Sequence, residues 1–235
     1  DISIKIVIGA IIALTLLIWL IPAIPVNPIG AIIIVVFGFF FATVSSRMVG
    51  LVGSSNNPVS GMAIATLLIA TLILKVTGMD GIEGMCSAIA IGSIICIVAA
   101  MAGDTSQDLK TGYILGATPK KQQIGEIIGV VVSALVIGAI LLLLDSAWGF
   151  GSKELSAPQA TLMKTIVEGV MNGNLPWGLV FIGAFIAISV EIIGIPALPV
   201  AIGLYLPIEL SSTIMLGGLI RLAVDKIKAK SNSKD

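Results

Sequence analysis

Runs of apolar residues about 20 long recur from one end of the chain to the other, and nothing else in the sequence restricts the fold as much. A helix of that length covers roughly the 30 Å of a bilayer's hydrocarbon core. Hydropathy places such spans at about Ser3 to Ile24, Pro28 to Arg47, Met62 to Val76, Gly84 to Ala102, Ile124 to Leu144 and Leu175 to Ile193. A last apolar stretch, Ile195 to Val224, is interrupted by Pro196, Pro199, Pro207 and glycines. The expected fold is therefore all-α: a polytopic transmembrane helical bundle with broken or re-entrant helices, residues 1–235 forming one part of a larger transmembrane domain.

Composition agrees with this reading. Of the 235 residues, 57% are hydrophobic and 11% charged, against roughly 25% charged in soluble domains. The formal net charge is zero and there is no histidine. Such a chain offers no basic field for nucleic acid, no imidazole metal ligand and no histidine switch near neutral pH. Proton chemistry is left to carboxylates. Cys86 and Cys96 lie ten residues apart in one apolar run, which fits neither a zinc pattern nor a redox pair; they read as small packing residues. The opening at Asp1, with no signal-peptide cleavage pattern after it, reads as a piece of something longer.

Sidedness follows from the positive charges. With Lys5 inside and sides alternating along the spans, Arg47, Lys110, Lys120 and Lys121 fall inside, while Lys75, Lys153 and Lys164 fall outside. The basic tail of Lys226, Lys228, Lys230 and Lys234 also belongs inside, which predicts a multi-pass protein of the inner (plasma) membrane with a cytoplasmic C-terminus. The stretch between Ile193 and that tail must then cross twice or not at all. Its prolines favour two short or half-length helices turning near Leu206 to Glu209, as in transporters whose broken helices mark the substrate path; two ordinary short spans are the alternative. Between Ala157 and Asn172, Leu162, Ile166, Val167 and Val170 at helical spacing predict an interfacial amphipathic helix on the outer side.

Polar groups between and within the spans are the candidates for chemistry. Gly53 to Gly61 reads GSSNNPVSG, in which Asn56 and Asn57 either line a path for a peptide-like ligand or merely form a turn that caps the next helix. Gly103 to Gln123 reads as a cytoplasmic loop carrying Asp104, Gln107, Asp108 and Lys110. These either bind an ion or proton or are simply solvated. Glu191 stands near the end of an apolar span, where a carboxylate is costly unless protonated, paired or facing water. It is a proton-carrying candidate, with an interfacial role as the competing view. Glu209, Tyr205 and Glu126 are weaker candidates of the same kind, and Arg221 is a possible neutraliser. No phosphate-binding GxxxxGK[ST] loop, HExxH or GxSxG motif occurs, and no cofactor is implied.

Four motifs then point to a family. NPVSGM from Asn57, GDTSQDLKTGYILGATPKKQQIGE from Gly103, APQATLMKTIVEGVMNGNLPWG from Ala157 and LPVAIGLYLPIELSSTIMLGGLIR from Leu198 together resemble the oligopeptide transporter (OPT) family, especially its prokaryotic branch. Members are larger, so the chain resembles their C-terminal portion and would work with the remaining N-terminal part. The resemblance implies a proton-coupled importer of small peptides, or of metal bound to a peptide-like chelator as in the yellow-stripe branch. It also implies Asn56, Asn57, Gln107 and Tyr205 as substrate-lining positions, and Asp104, Asp108 and Glu209 as coupling groups. Glu191 rests on its physical setting alone. A structural or channel-like membrane subunit is the alternative from a different class, and an enzyme is the poorest fit.

Overall fold

A computed structural model describes residues 1–22, 24–52, 57–205 and 208–232; of residues 51, 52, 198, 202, 205, 210 and 229–232 only the backbone is described. The described residues form nine helices and no strands: α1 (Ile4–Leu20), α2 (Pro28–Val52), α3 (Val59–Val76), α4 (Gly81–Leu115), α5 (Pro119–Trp148), α6 (Pro158–Met171), α7 (Trp177–Ile192), α8 (Ala197–Tyr205) and α9 (Ile208–Asn232). Four of them, α2 to α5, are long and apolar enough to cross a membrane; α1 and α7 are apolar but shorter, at 17 and 16 residues. The chain is an all-α helical bundle. It divides into two compact units, Asp1–Leu175 and Pro176–Asp235.

In the first unit, α4 is the central helix, packed against both α2 and α3. Its buried face carries Gly84, Ser87, Ala88, Ile91, Gly92, Ile95, Ala99 and Gly103, a helical repeat dominated by small residues. Such a stripe lets backbones approach closely, which is how helices associate when lipid removes the hydrophobic drive between them. The fit is tight: a Cβ on Gly92 would stand 2.6 Å from Leu67 Cδ2, and one on Gly30 would stand 3.0 Å from Ile91 Cδ1. Leu74, Ala70, Ala88, Ile91, Ile95 and Val167 are completely buried in one cluster. Asn27 starts α2, its side-chain oxygen accepting the Gly30 N–H at 2.7 Å ahead of Pro28 in the first turn.

One finding differs from the sequence expectations. The predicted loop from Gly103 to Gln123 is mostly helix: α4 continues to Leu115, only residues 116–118 turn, and α5 begins at Pro119. The 35 residues of α4 amount to about 52 Å, some 20 Å beyond the hydrocarbon thickness. Polarity there does not mark the end of the helix. The helix stops at Gly116 (φ +73°), where Ala117 N–H donates to Gly112 O at 2.8 Å in a Schellman turn. The segment expected to form an amphipathic helix is helical as α6, which packs on α3 and α4. Val167, Val170 and Met171 are buried, and Lys75 Nζ donates to the Val170 carbonyl at 2.8 Å, closing the C-terminus of α6. Of the cysteines, Cys86 is exposed and Cys96 is half-buried.

The second unit holds α7, α8 and α9; the turn expected near Leu206 to Glu209 falls in part on residues 206 and 207, which lie outside the described residues. α7 ends in a Schellman turn at Gly194 (φ +85°), with Ile195 N–H donating to Val190 O at 2.9 Å. α8 has nine residues, about 13 Å, far too short to cross a bilayer. α9 starts at Ile208 and continues for 25 residues through the basic segment.

Candidate functional site

Polar side chains in the first unit gather where the apolar part of α4 gives way to its polar part. Ser45 of α2 is fully buried, and its hydroxyl donates to the Ala99 carbonyl of α4. Asn57, at the entry to α3, donates through Nδ2 to Ser45 Oγ at 2.6 Å. The relay Asn57 to Ser45 to Ala99 thus ties three helices together. Gly103 makes room for it: a Cβ there would stand 2.8 Å from Asn57 Nδ2 and 3.1 Å from Ser45 Oγ. One turn further, Ser46 and Ser106 share a hydrogen bond of 2.6 Å, with Ser106 also donating to Ala102 O. Thr105 donates to Glu126 Oε2 of α5 at 2.7 Å.

This seam is not fully satisfied. Asn57 Oδ1 and Glu126 Oε1 are buried atoms with no hydrogen-bond partner among the described residues. A buried acceptor left without a donor costs about 1 to 3 kcal/mol, and in native proteins such atoms need an explanation, which a ligand or an ordered water can supply. Beside the seam a groove opens between α2 and α4, lined by Phe39, Thr43, Ser46, Arg47, Thr105 and Ser106.

The residues singled out from the sequence are distributed unevenly. Asn57 is at the heart of the seam, and Glu126 reaches it from α5. Asn56 lies outside the described residues, and Tyr205 is described only as the last residue of α8. Asp104, Gln107 and Asp108 are exposed on α4, and the Lys110 ammonium lies over the Tyr113 ring at 5.6 Å. The Asp108 carbonyl accepts from Gln122 Nε2 at 3.1 Å across the α4/α5 turn. In the second unit, Glu191 sits in the last turn of α7 and accepts the Ala197 N–H at 2.8 Å through Oε1. The carboxylate therefore caps the N-terminus of α8, the end of a helix that favours negative charge. Glu209 occupies the first turn of α9, where the same preference holds. Ser45, Ser46, Thr105 and Ser106 were missed by sequence reasoning. Ser45 and Ser46 change the hydropathy of their apolar run little, Thr105 and Ser106 stand among charged neighbours that draw the eye first, and only the pairing of α2 with α4 brings them together.

Comparison with known proteins agrees with the bundle. The family model described as OPT oligopeptide transporter protein matches residues 2–235. A Haemophilus influenzae protein named "Putative oligopeptide transporter" is 34% identical, over 92% of this chain and 40% of its own length. A Saccharomyces cerevisiae protein of like name is 29% identical over 65% of the chain and 21% of its own length. An Arabidopsis thaliana protein named "Probable metal-nicotianamine transporter" is 30% identical over 37% of the chain and 13% of its own length. No solved structure matches. The chain thus spans two fifths or less of the length of these relatives. With four apolar helices of membrane-crossing length and a family match along nearly its whole extent, the chain is a membrane protein and belongs to the OPT oligopeptide transporter family.

Proposed function

We propose that this chain is the part of a secondary transporter that lines a passage for small oligopeptides or metal chelates and couples their import to protons. The observation that carries the reading is the polar seam of buried Ser45 and half-buried Asn57, Ser46 and Ser106 along α2 and α4, with the buried Asn57 Oδ1 lacking a hydrogen-bond partner among the described residues. Polar groups inside a membrane bundle are costly and mark substrate or ion paths by default. Family membership and the names of the relatives support peptide or metal–nicotianamine cargo. In this reading Asn57 lines the passage together with Asn56, Gln107 and Tyr205. Lys5, Arg47 and the C-terminal lysines face the cytoplasm, placing the protein in the inner membrane with its C-terminus inside.

For coupling, Glu191 is the strongest of the four carboxylates, ahead of Asp104, Asp108 and Glu209. Its hydrogen bond to Ala197 links one ionisable group to the N-terminus of a helix too short to span. In this reading a proton delivered to Glu191 weakens its charge-assisted bond to the Ala197 N–H, which ties proton arrival to α8. The test uses the full-length protein in proteoliposomes, with trialanine or an iron–nicotianamine chelate as cargo. Accumulation driven by an outside-acid gradient and abolished by a protonophore is expected. Glu191→Gln keeps an acceptor for Ala197 but cannot titrate, so its uptake is expected to fall to the level without a gradient. Uptake and coupling left intact by that change would remove Glu191 from the mechanism. Equilibration of cargo without accumulation would point to a channel-like subunit instead.

A further inference from the structure

The groove beside the seam contains a cation that takes no part in the ion pairs among the described residues. Arg47 is exposed on α2, and the ion pairs among the described residues, Lys164 with Glu168 and Arg221 with Asp225, do not involve it. Around it the groove offers the hydroxyls of Thr43, Ser46, Thr105 and Ser106, with Phe39 on the apolar side. At the cytoplasmic end of α2, where the transport reading puts it, an exposed guanidinium is open to water and to an anionic ligand that arrives from it. A guanidinium presents a planar fork that matches two carboxylate oxygens at once.

The neighbouring hydroxyls suit the same ligand. Ser46 and Ser106 are hydrogen-bonded to each other at 2.6 Å, and Ser106 also bonds back to Ala102 O, four residues earlier on its own helix. A hydroxyl bonded to its own helix can rotate and donate elsewhere without unravelling that helix, because the backbone ladder does not depend on it. On the far side of the groove Thr105 is held by the Glu126 carboxylate. The lining is thus cationic at Arg47 and anionic beyond Thr105, a polarity that orients a ligand carrying a carboxylate at one end.

We infer that the α2/α4 groove is a subsite for a carboxylate of the transported ligand, held by Arg47 with the Ser46 and Ser106 hydroxyls. This rests on the transport reading above and adds to it the chemical group that is recognised. Peptides and amino-acid-derived chelators both carry such a group, so the subsite applies to either cargo class.

The test has two stages, both on the full-length protein. Uptake into proteoliposomes first shows whether trialanine or iron–nicotianamine is carried; if neither is, the transport reading and this inference fall together. Equilibrium binding of the carried compound is then compared with that of its carboxamide, in which the charge is removed. Wild-type protein is expected to prefer the free acid by roughly tenfold or more, the range of a charge-assisted hydrogen-bonded pair. Arg47→Gln is expected to erase that preference by weakening the acid alone, leaving the amide within about twofold of wild type. Arg47→Lys keeps a point charge without the fork and is expected to fall between the two, and Ser46→Ala/Ser106→Ala is expected to weaken the acid by a smaller factor. If Arg47→Gln does not fold, the last two variants decide by the same comparison. An acid-over-amide preference that survives these changes overturns the subsite while leaving transport standing. So does a wild-type protein that binds acid and amide equally but is stabilised by phosphatidylglycerol vesicles through Arg47, since the groove would then be a lipid headgroup site.

Discussion

α4 and α5 are neighbours joined by a three-residue turn, yet they are used in opposite ways. α5 is the more apolar of the two and buries none of its residues, whereas α4 carries glycines, serines and an acidic, amide-rich end and forms the centre of the packed unit. In water the ranking would be reversed, because burial there is driven by apolar area. In lipid the surroundings are as apolar as leucine, so what selects a helix for the interior is close backbone approach and the chance to pair polar groups. Gly92 against Leu67, and Gly103 against Asn57, are the places where this selection is visible.

The largest test of the contrast is a pair of matched glycine substitutions. Gly92→Leu in α4 places side-chain atoms where Leu67 already stands, with the Cβ alone at 2.6 Å. Overpacking of that kind costs about 1 to 3 kcal/mol or more, so a sharp drop in the folded, monodisperse fraction on size-exclusion chromatography is expected. A Cβ at Gly138 in α5 meets nothing within 4 Å, and Gly138→Leu should leave the elution profile unchanged. Equal damage from both would mean that α5 is as tightly packed in the whole protein as α4 is here.

A smaller effect separates the serines of the two regions. Ser45→Ala removes both the donor to Ala99 O and the acceptor for Asn57 Nδ2. A cost of about 1 to 3 kcal/mol follows from leaving the buried amide unpaired, read as a lowered midpoint in a thermal-shift assay in detergent. Ser133→Ala on the exposed face of α5 is expected to leave the midpoint where it was. The smallest effect belongs to Lys164→Ala on α6. Its ion pair with Glu168 is 3.7 Å long, with side chains 67% and 46% exposed. An exposed i,i+4 pair contributes about 0.5 kcal/mol or less, so α6 should stay docked through Val167 and Met171. Release of α6, read as faster hydrogen exchange at Val167, would show that charge rather than burial holds it.

Much of this architecture was legible in the residues themselves. Apolar runs marked the helices, and Pro196 stands just ahead of the nine-residue α8. Asn57 and Glu191 stood out because amides and carboxylates are expensive in or beside a membrane. The stretch after Gly103 was misread as a loop, since a hydropathy window registers polarity and not backbone conformation. Here the polar residues face sideways, Ser106 to Ser46 and Thr105 to Glu126, and the helix runs on.

The sequence by itself determined that the chain lives in a bilayer, that it is helical and which family it belongs to. All three follow from local properties: transfer of side chains into hydrocarbon, and motifs read in order. Only the tertiary structure decided which helix is central, that Ser45 and Ser46 join Asn57, Ser106 and Glu126 in one seam, and that Glu191 caps α8. Those facts depend on contacts between residues far apart in the chain, and hydropathy, which weighs each residue by itself, carries no record of them.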